Sequence, residues 1–251
     1  MKAVILAGGR GTRGRPYTEY FPKAMIPVRG RPLIDHVVGH LRSFDFIGEI
    51  SIIADFAGLG GQIRSYYGRE RGIRYVQDSQ SGTGGDLLHA GNLGGRFVLW
   101  FVDNLCAVDL GAMRGAFLAG GGTACIATRR RRREETGFAE VRDGMVRRFT
   151  EKPVLDLPMS ECLGVYMLGG GVLDRVRGIG GGHVNLSYDV LQPLASEGVV
   201  SAFDIGREPW MDVESPVVLE RNGDMARRIT GRMGRRGPTR GARSRPRALA
   251  S

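Results

Sequence analysis

The spacing of apolar and polar positions changes character several times along the 251 residues. Residues 2–7 form a short apolar run that stops at Gly8-Gly9, the pattern of a strand buried on both faces. Similar runs lie at 49–54, 73–76, 97–102 and 123–128. Between them, helical spacing covers 32–41, 62–67, 83–90 and 110–119, with Pro32 near the start of the first helix. Strands that alternate with helices predict an α/β fold: a Rossmann-like, mixed but mostly parallel sheet flanked by helices. Residues 10–31 interrupt this order as a long loop rich in glycine and proline, and loops of that length usually carry function.

After residue 128 the pattern is less regular. Residues 138–141 and 145–149 flank Asp143-Gly144, a hairpin signal. A strand is expected at 165–168, helices at 172–176 and 188–197, and a strand at 200–203 leading to Trp210. The chain therefore divides into a nucleotide-binding half, 1–128, and a hairpin-rich half, 129–226, suited to covering a second substrate.

Charge sets off the C-terminal end. The formal net charge is +10, but 227–251 holds nine arginines and no acid. Taking those nine from 36 basic residues leaves 27 against 26 acids, so the body is nearly neutral. Few apolar residues accompany these arginines, which predicts a disordered basic tail over 227–251. No aromatic interleaves them to stack on bases, which argues for a solubilising tail and against nucleic acid. No run approaches the roughly 18 apolar residues of a membrane span, so no membrane association is expected. Cys106, Cys125 and Cys162 show neither metal spacing nor a disulfide framework, which points to a reducing cytoplasm. Only Lys2, Lys23 and Lys152 among the 36 basic residues are lysine. A compact ammonium is not interchangeable with a guanidinium, which draws attention to Lys23 and Lys152.

Gly9, Gly11 and Gly14 spell a dinucleotide fingerprint, but Pro16 and Pro22 prevent the helix that it needs. Asp35, at the spacing of the ribose-binding acid, lies inside a helical pattern. A P-loop also fails, because Arg15-Pro16 follows Gly14. What remains is an anion-binding nest of glycine amides with Arg10, Arg13, Arg15 and Lys23 close by in sequence, suited to a triphosphate. His36 and His40 are one helical turn apart but lack a third metal ligand. Arg129 to Arg133, five arginines in a row, reads as a solvated loop.

Leu6-Ala-Gly-Gly-Arg-Gly-Thr-Arg13, Pro16-x-Thr18, Pro22-Lys23 and Pro27 together resemble the signature of the sugar-phosphate nucleotidyltransferases. Gln77 with Gly82-Thr83, Asp103-Asn104, Gly137 with Glu151-Lys152-Pro153, and Trp210-x-Asp212 with Pro216 extend the resemblance over residues 1 to about 226. Gly14, Val102, Cys162 and Asp86 depart from the family pattern. The resemblance implies a fold of the nucleotide-diphospho-sugar transferase type and a transfer between an NTP and a sugar 1-phosphate that releases pyrophosphate. It implies that Leu6, Ala7, Gly8, Gly9, Gly11, Thr12, Gln77, Gly82 and Thr83 bind the nucleotide. Arg13 and Lys23 would be catalytic, and Gly137, Glu151 and Lys152 would hold the sugar phosphate. Asp103 and Asp212 would bind Mg2+, with Mn2+ able to substitute. A homo-oligomer is compatible with this reading. So is a non-catalytic regulatory subunit of the same fold that binds a nucleotide sugar. The stretch Gly82-Thr-Gly-Gly85 is closer to mannose or heptose phosphate guanylyltransferases, and Asp103-Asn104 to glucose-1-phosphate thymidylyltransferases, so base and sugar stay open.

Overall fold

The computed structural model describes residues 1–9, 11–180 and 182–234. In chain order, β1 (Lys2–Leu6) runs into the glycine loop, which is folded as three 3-10 turns. A small hairpin of β2 (Pro27–Val28) and β3 (Arg31–Pro32) follows, then α1 (Leu33–Arg42). Next come β4 (Glu49–Ala54), α2 (Gly61–Tyr67), β5 (Ile73–Gln77), α3 (Gly82–His89), β6 (Arg96–Phe101), β7 (Asn104–Cys106) and α4 (Leu110–Ala119). The second half contains β8 (Ala124–Arg133), β9 (Phe138–Arg142), β10 (Met145–Thr150), β11 (Val154–Gly169) and α5 (Gly171–Ile179). A wide-wound turn (Leu186–Leu191) continues into α6 (Gln192–Ser196), followed by β12 (Val200–Asp204), β13 (Trp210–Asp212), α7 (Pro216–Arg221) and α8 (Gly223–Thr230).

Seven strands form one sheet in the order β12-β8-β11-β6-β1-β4-β5. Neighbours are parallel except at β11, which runs against both β6 and β8. Side chains alternate between the two faces. Ala3 and Ile5 join a core with Leu33, Val37 and Leu41 of α1, whereas Val4 and Leu6 join a second core with Leu87, Val172 and Leu186. Covering both faces is what makes β1, β4 and β6 apolar throughout. The chain leaves β1 for β4 and β5 on one side and returns past it to β6 on the other. The carboxyl end of β1 is thus the switch point, where open α/β sheets bind ligands. Among the described residues no helix is long and apolar enough to cross a membrane.

Two expectations need correction. The five arginines are not a loop: β8 continues through Arg133, paired with β11. Arg129 stands opposite Glu161 and Arg131 opposite Asp156, and Nε of each lies 2.6 and 3.0 Å from the facing carboxylate. Opposite charges across a ladder stabilise a strand that composition alone reads as solvated. Pro158 falls where the register slips between Asp156 and Glu161, so its missing N–H breaks no regular ladder bond. The other correction concerns the expected disordered tail. The fold does not stop at 226: α8 extends to Thr230, with Ala226, Ile229 and Met233 buried. These residues fall at helical spacing beneath Arg227, Arg228 and Arg232. The rest of the expected tail, 235–251, lies outside the described residues, as does Arg10.

Candidate functional site

The site grows from the carboxyl ends of β1, β4, β5 and β6. Registers Leu6↔Ile53, Leu6↔Phe101 and Ala54↔Gln77 bring those ends level, so Gly8, Asp55, Asp78 and Asp103 leave the sheet along one edge. Leu6 and Ala7 are held in the sheet by bonds from Val102 N to Leu6 O and from Ala7 N to Ile53 O. Gly9 has open space where a Cβ would be. Gly11 sits at φ 59° with its carbonyl bonded by Thr18 Oγ1 at 2.7 Å, and Thr12 and Arg13 follow in the first 3-10 turn. A Cβ on Gly14 would come within 2.7 Å of Thr18 Cγ2 and 3.0 Å of Glu214 O, so the backbone here is shaped around glycine where the family pattern has leucine. Ala7, Gly8, Gly9, Thr18, Lys23 and Asp55 help line a cavity of about 150 Å3.

Lys23 and Asp103, 80 residues apart, form an ion pair of 3.0 Å from Nζ to Oδ2, with the lysine side chain only 12% exposed. Asp103 Oδ1 receives Asn104 Nδ2 at 2.9 Å. Pairing of β13 with β7 sets Asp212 opposite Asn104, and Val213 N bonds Asp103 O, which brings the second aspartate to the first. Asp212 Oδ1 is buried without a hydrogen-bond partner. Burial, then the Asp103 charge, raises its carboxyl to about 6, against the opposing pull of Lys23 and Arg13. An orphaned buried carboxylate oxygen beside a second carboxylate fits a hard divalent cation, whose remaining ligands would be phosphate oxygens and water. Among the described residues no group of three or more His, Cys, Asp or Glu gathers as a metal cluster, so the chain's share would be Asp103 and Asp212. His36 and His40 do not face a common point. Their Nε2 atoms are bonded to Val28 O and Val108 O, and burial lowers the pKa of both.

Asn104 locks this corner. Its Oδ1 accepts from Trp210 Nε1 at 2.9 Å and from Gly164 N at 3.1 Å, and its backbone O accepts from Trp100 Nε1. Arg13 is paired with Glu214. Sequence reasoning gave no role to Glu214, whose partner is 201 residues away, or to the Asn104 amide, whose partners are 60 and 106 residues away.

The remaining candidates are placed as follows. Gln77 is exposed but bonded within the protein: Oε1 accepts from Phe56 N, and Nε2 donates to Asp55 Oδ1 and Asp78 O. Gly82 sits at φ 81° with Val184 O where its Cβ would be, and Thr83 Oγ1 accepts from Leu186 N at 3.0 Å. A Cβ on Gly137 would meet the exposed Phe149 ring and the Glu151 carboxylate. Lys152, at φ 47°, lines a cleft of about 850 Å3 with Arg29, Arg133, Arg221 and Arg228. No hydrogen bond or ion pair among the described residues joins Glu151 or Lys152 to Lys23, Asp103 or Asp212.

Comparisons with known proteins bear on the family and the fold. A UTP–glucose-1-phosphate uridylyltransferase from Synechocystis is 28% identical over 238 residues, covering 85% of this chain and 60% of the relative. A mannose-1-phosphate guanyltransferase from Schizosaccharomyces pombe is 26% identical, covering 86% of this chain and 61% of that one. The regulatory subunit alpha of a Drosophila melanogaster mannose-1-phosphate guanylyltransferase is 38% identical over 39% of this chain and 26% of its own. The chain spans 22% to 65% of the length of such curated relatives. A solved structure of a putative glucose-1-phosphate thymidylyltransferase from Bacillus anthracis, in complex with a sucrose, superposes with a TM-score of 0.71 at 26% identity, covering 90% of this chain and 95% of that one. A family model described as nucleotidyl transferase matches residues 2–219, nearly all of the described fold, and the chain belongs to that family.

Proposed function

We propose that the protein joins a nucleoside triphosphate to a sugar 1-phosphate, giving a nucleotide sugar and pyrophosphate. The observation that carries this reading is the meeting of Lys23, Asp103 and Asp212 at the switch point, with one Asp212 oxygen buried and unpartnered. A sugar-phosphate oxygen is already anionic near neutral pH and attacks the α-phosphorus without a general base. The chain's task is then alignment and charge neutralisation. The amides of Gly9 and Gly11 cradle the triphosphate, and Gly8 and the 77–83 segment face the base. Lys23 exchanges its bond to Asp103 for the α-phosphate and the incoming phosphate. Arg13 exchanges Glu214 for the β- and γ-phosphates and balances the leaving pyrophosphate. Lys152 holds the sugar phosphate and Glu151 a sugar hydroxyl. Asp103 and Asp212 would hold Mg2+, or Mn2+ in its place, which when bound offsets the charge gathering on the phosphates.

The test is pyrophosphate release across a matrix of NTPs and sugar 1-phosphates, with Mg2+ and with EDTA. Release with at least one pair, abolished by EDTA and by Asp212→Asn, is expected. A second reading is favoured by the similarity to a regulatory subunit: a non-catalytic binder of a nucleotide sugar. It predicts tight nucleotide-sugar binding with no release from any pair.

A further inference from the structure

The segment between β5 and α3 spends the side-chain donors of Gln77, Ser79 and Ser81 on the protein itself, and only the exposed Gln80 side chain keeps its amide. Both hydrogens of Gln77 Nε2 go to Asp55 Oδ1 and Asp78 O, at 2.9 and 3.3 Å. Ser79 Oγ and N both donate to Asp86 Oδ1, at 2.6 and 3.0 Å. Ser81 Oγ lies 2.6 Å from Ser79 Oγ and 3.5 Å from Asp86 Oδ1. Asp86, which departs from the family pattern, is thus a buried acceptor that draws both serine hydroxyls inward. Gln80 is exposed, at φ 58°, and its backbone N–H goes to Asp78 Oδ1 at 2.7 Å. What the segment presents at Gly8 is an acceptor. No N–H of the described residues bonds Asp78 Oδ2, although the carboxyl also meets that of Asp86, and Oδ2 leans over Gly8 so closely that a Cβ there would overlap it. A carboxylate so placed repels phosphates, so the part of a nucleotide it meets must donate.

Resting on the reading that this segment faces the base, we infer that Asp78 selects a guanine nucleotide by accepting hydrogen bonds from the adjacent N1–H and N2–H of guanine. The other bases do not offer that pair. Uracil and thymine place one N–H between two carbonyl oxygens, adenine sets an acceptor beside its amino group, and so does cytosine. An acceptor facing a carbonyl is left unpaired and repelled, and such mismatches discriminate more strongly than shape does.

The test is calorimetric titration of the full chain with GTP, ATP, CTP, UTP and dTTP, with Mg2+ and no sugar phosphate. The same series is run on Asp78→Asn. Asparagine keeps the size of the side chain and the acceptor for Gln80 N–H, but it presents an N–H in place of Oδ2. Far-UV circular dichroism and melting check that the variant folds. The parent should bind GTP more tightly than every other triphosphate. Asp78→Asn should weaken GTP about tenfold to a hundredfold and tighten UTP, the range of one bidentate base contact. Tighter binding of another triphosphate by the parent, or GTP binding unchanged by Asp78→Asn, overturns the inference and leaves the nucleotide site standing. If none of the five binds, the reading of the site falls as well, and the inference with it.

Discussion

Lys23 carries the sharpest consequence at the scale of single residues. Only three of 36 basic residues are lysine, and this one is 12% exposed with its ammonium 3.0 Å from Asp103. If it must let go of Asp103 to bridge two approaching phosphates, it has to be compact, and a guanidinium fork is wide and planar. Lys23→Arg should therefore fold, still bind triphosphate and lose turnover by roughly a hundredfold. Turnover equal to the parent's would reduce Lys23 to a generic cation. Asp212 makes the opposite trade. Burial and Asp103 disfavour its charged form, so Asp212→Asn should raise or leave unchanged the melting temperature at pH 7.5 while pyrophosphate release is lost. A lower melting temperature with full turnover would contradict both halves of that statement. The sequence drew attention to Lys23 by the scarcity of lysine and to Asp103 by its place at the end of an apolar run, and to Asp212 only through the family resemblance. That Lys23 and Asp103 pair across 80 residues had no local signal. The Gln77–Asp55 bond and the Arg13–Glu214 pair were not legible, because nothing local sets a partner 22 or 201 residues away.

At the scale of elements, the apolar runs located β1, β4 and β6 almost to the residue, because strands buried on both faces have no other pattern to follow. The same logic fails for β8 and β11, whose outer halves carry charge. Their pairing rests on cross-strand ion pairs of unequal weight. Arg129 is 13% exposed, bonded to Glu161 and stacked 4.4 Å from the centre of the Trp210 ring, whereas Asp156 opposite Arg131 is 80% exposed. Removing Glu161 leaves a half-buried guanidinium without its counter-ion, directly behind the strand that positions Asp212. Glu161→Ala should cost about 1–3 kcal/mol in urea unfolding. Asp156→Ala should cost at most about 0.5 kcal/mol, as exposed pairs do. Equal losses would mean that the ladder is held by its backbone bonds alone.

At the scale of the whole molecule, the C-terminal arginines conceal a structural clasp. Ile229 is fully buried and Met233 is 9% exposed, so a chain ended at 226 should lose about 3–5 kcal/mol against one ended at 234, by the transfer of two apolar side chains. Matching urea midpoints for the two would show that α8 adds nothing to the core. The clasp closes on a histidine, and this ties it to pH. His40 Nε2–H donates to Val108 O at 2.9 Å, and its Nδ1 accepts from Gly234 N at 3.2 Å, an arrangement open only to the neutral ring. Burial pulls the His40 pKa below the usual 6.5, opposed by the Val108 carbonyl and Asp109. The folded state therefore holds fewer protons than the unfolded one. Its stability is complete above about pH 6.5 and is lost as pH falls toward the lowered value. His36 is shifted the same way, while Asp212, raised to about 6, contributes in the opposite sense at lower pH. A difference between two proteins isolates His40. Urea midpoints measured from pH 7.5 to 6.0 should fall more steeply for the parent than for His40→Gln, whose side chain keeps a donor and an acceptor but does not titrate. Parallel slopes would mean that folding leaves the His40 pKa unshifted and that Gly234 is held by something other than its lone pair.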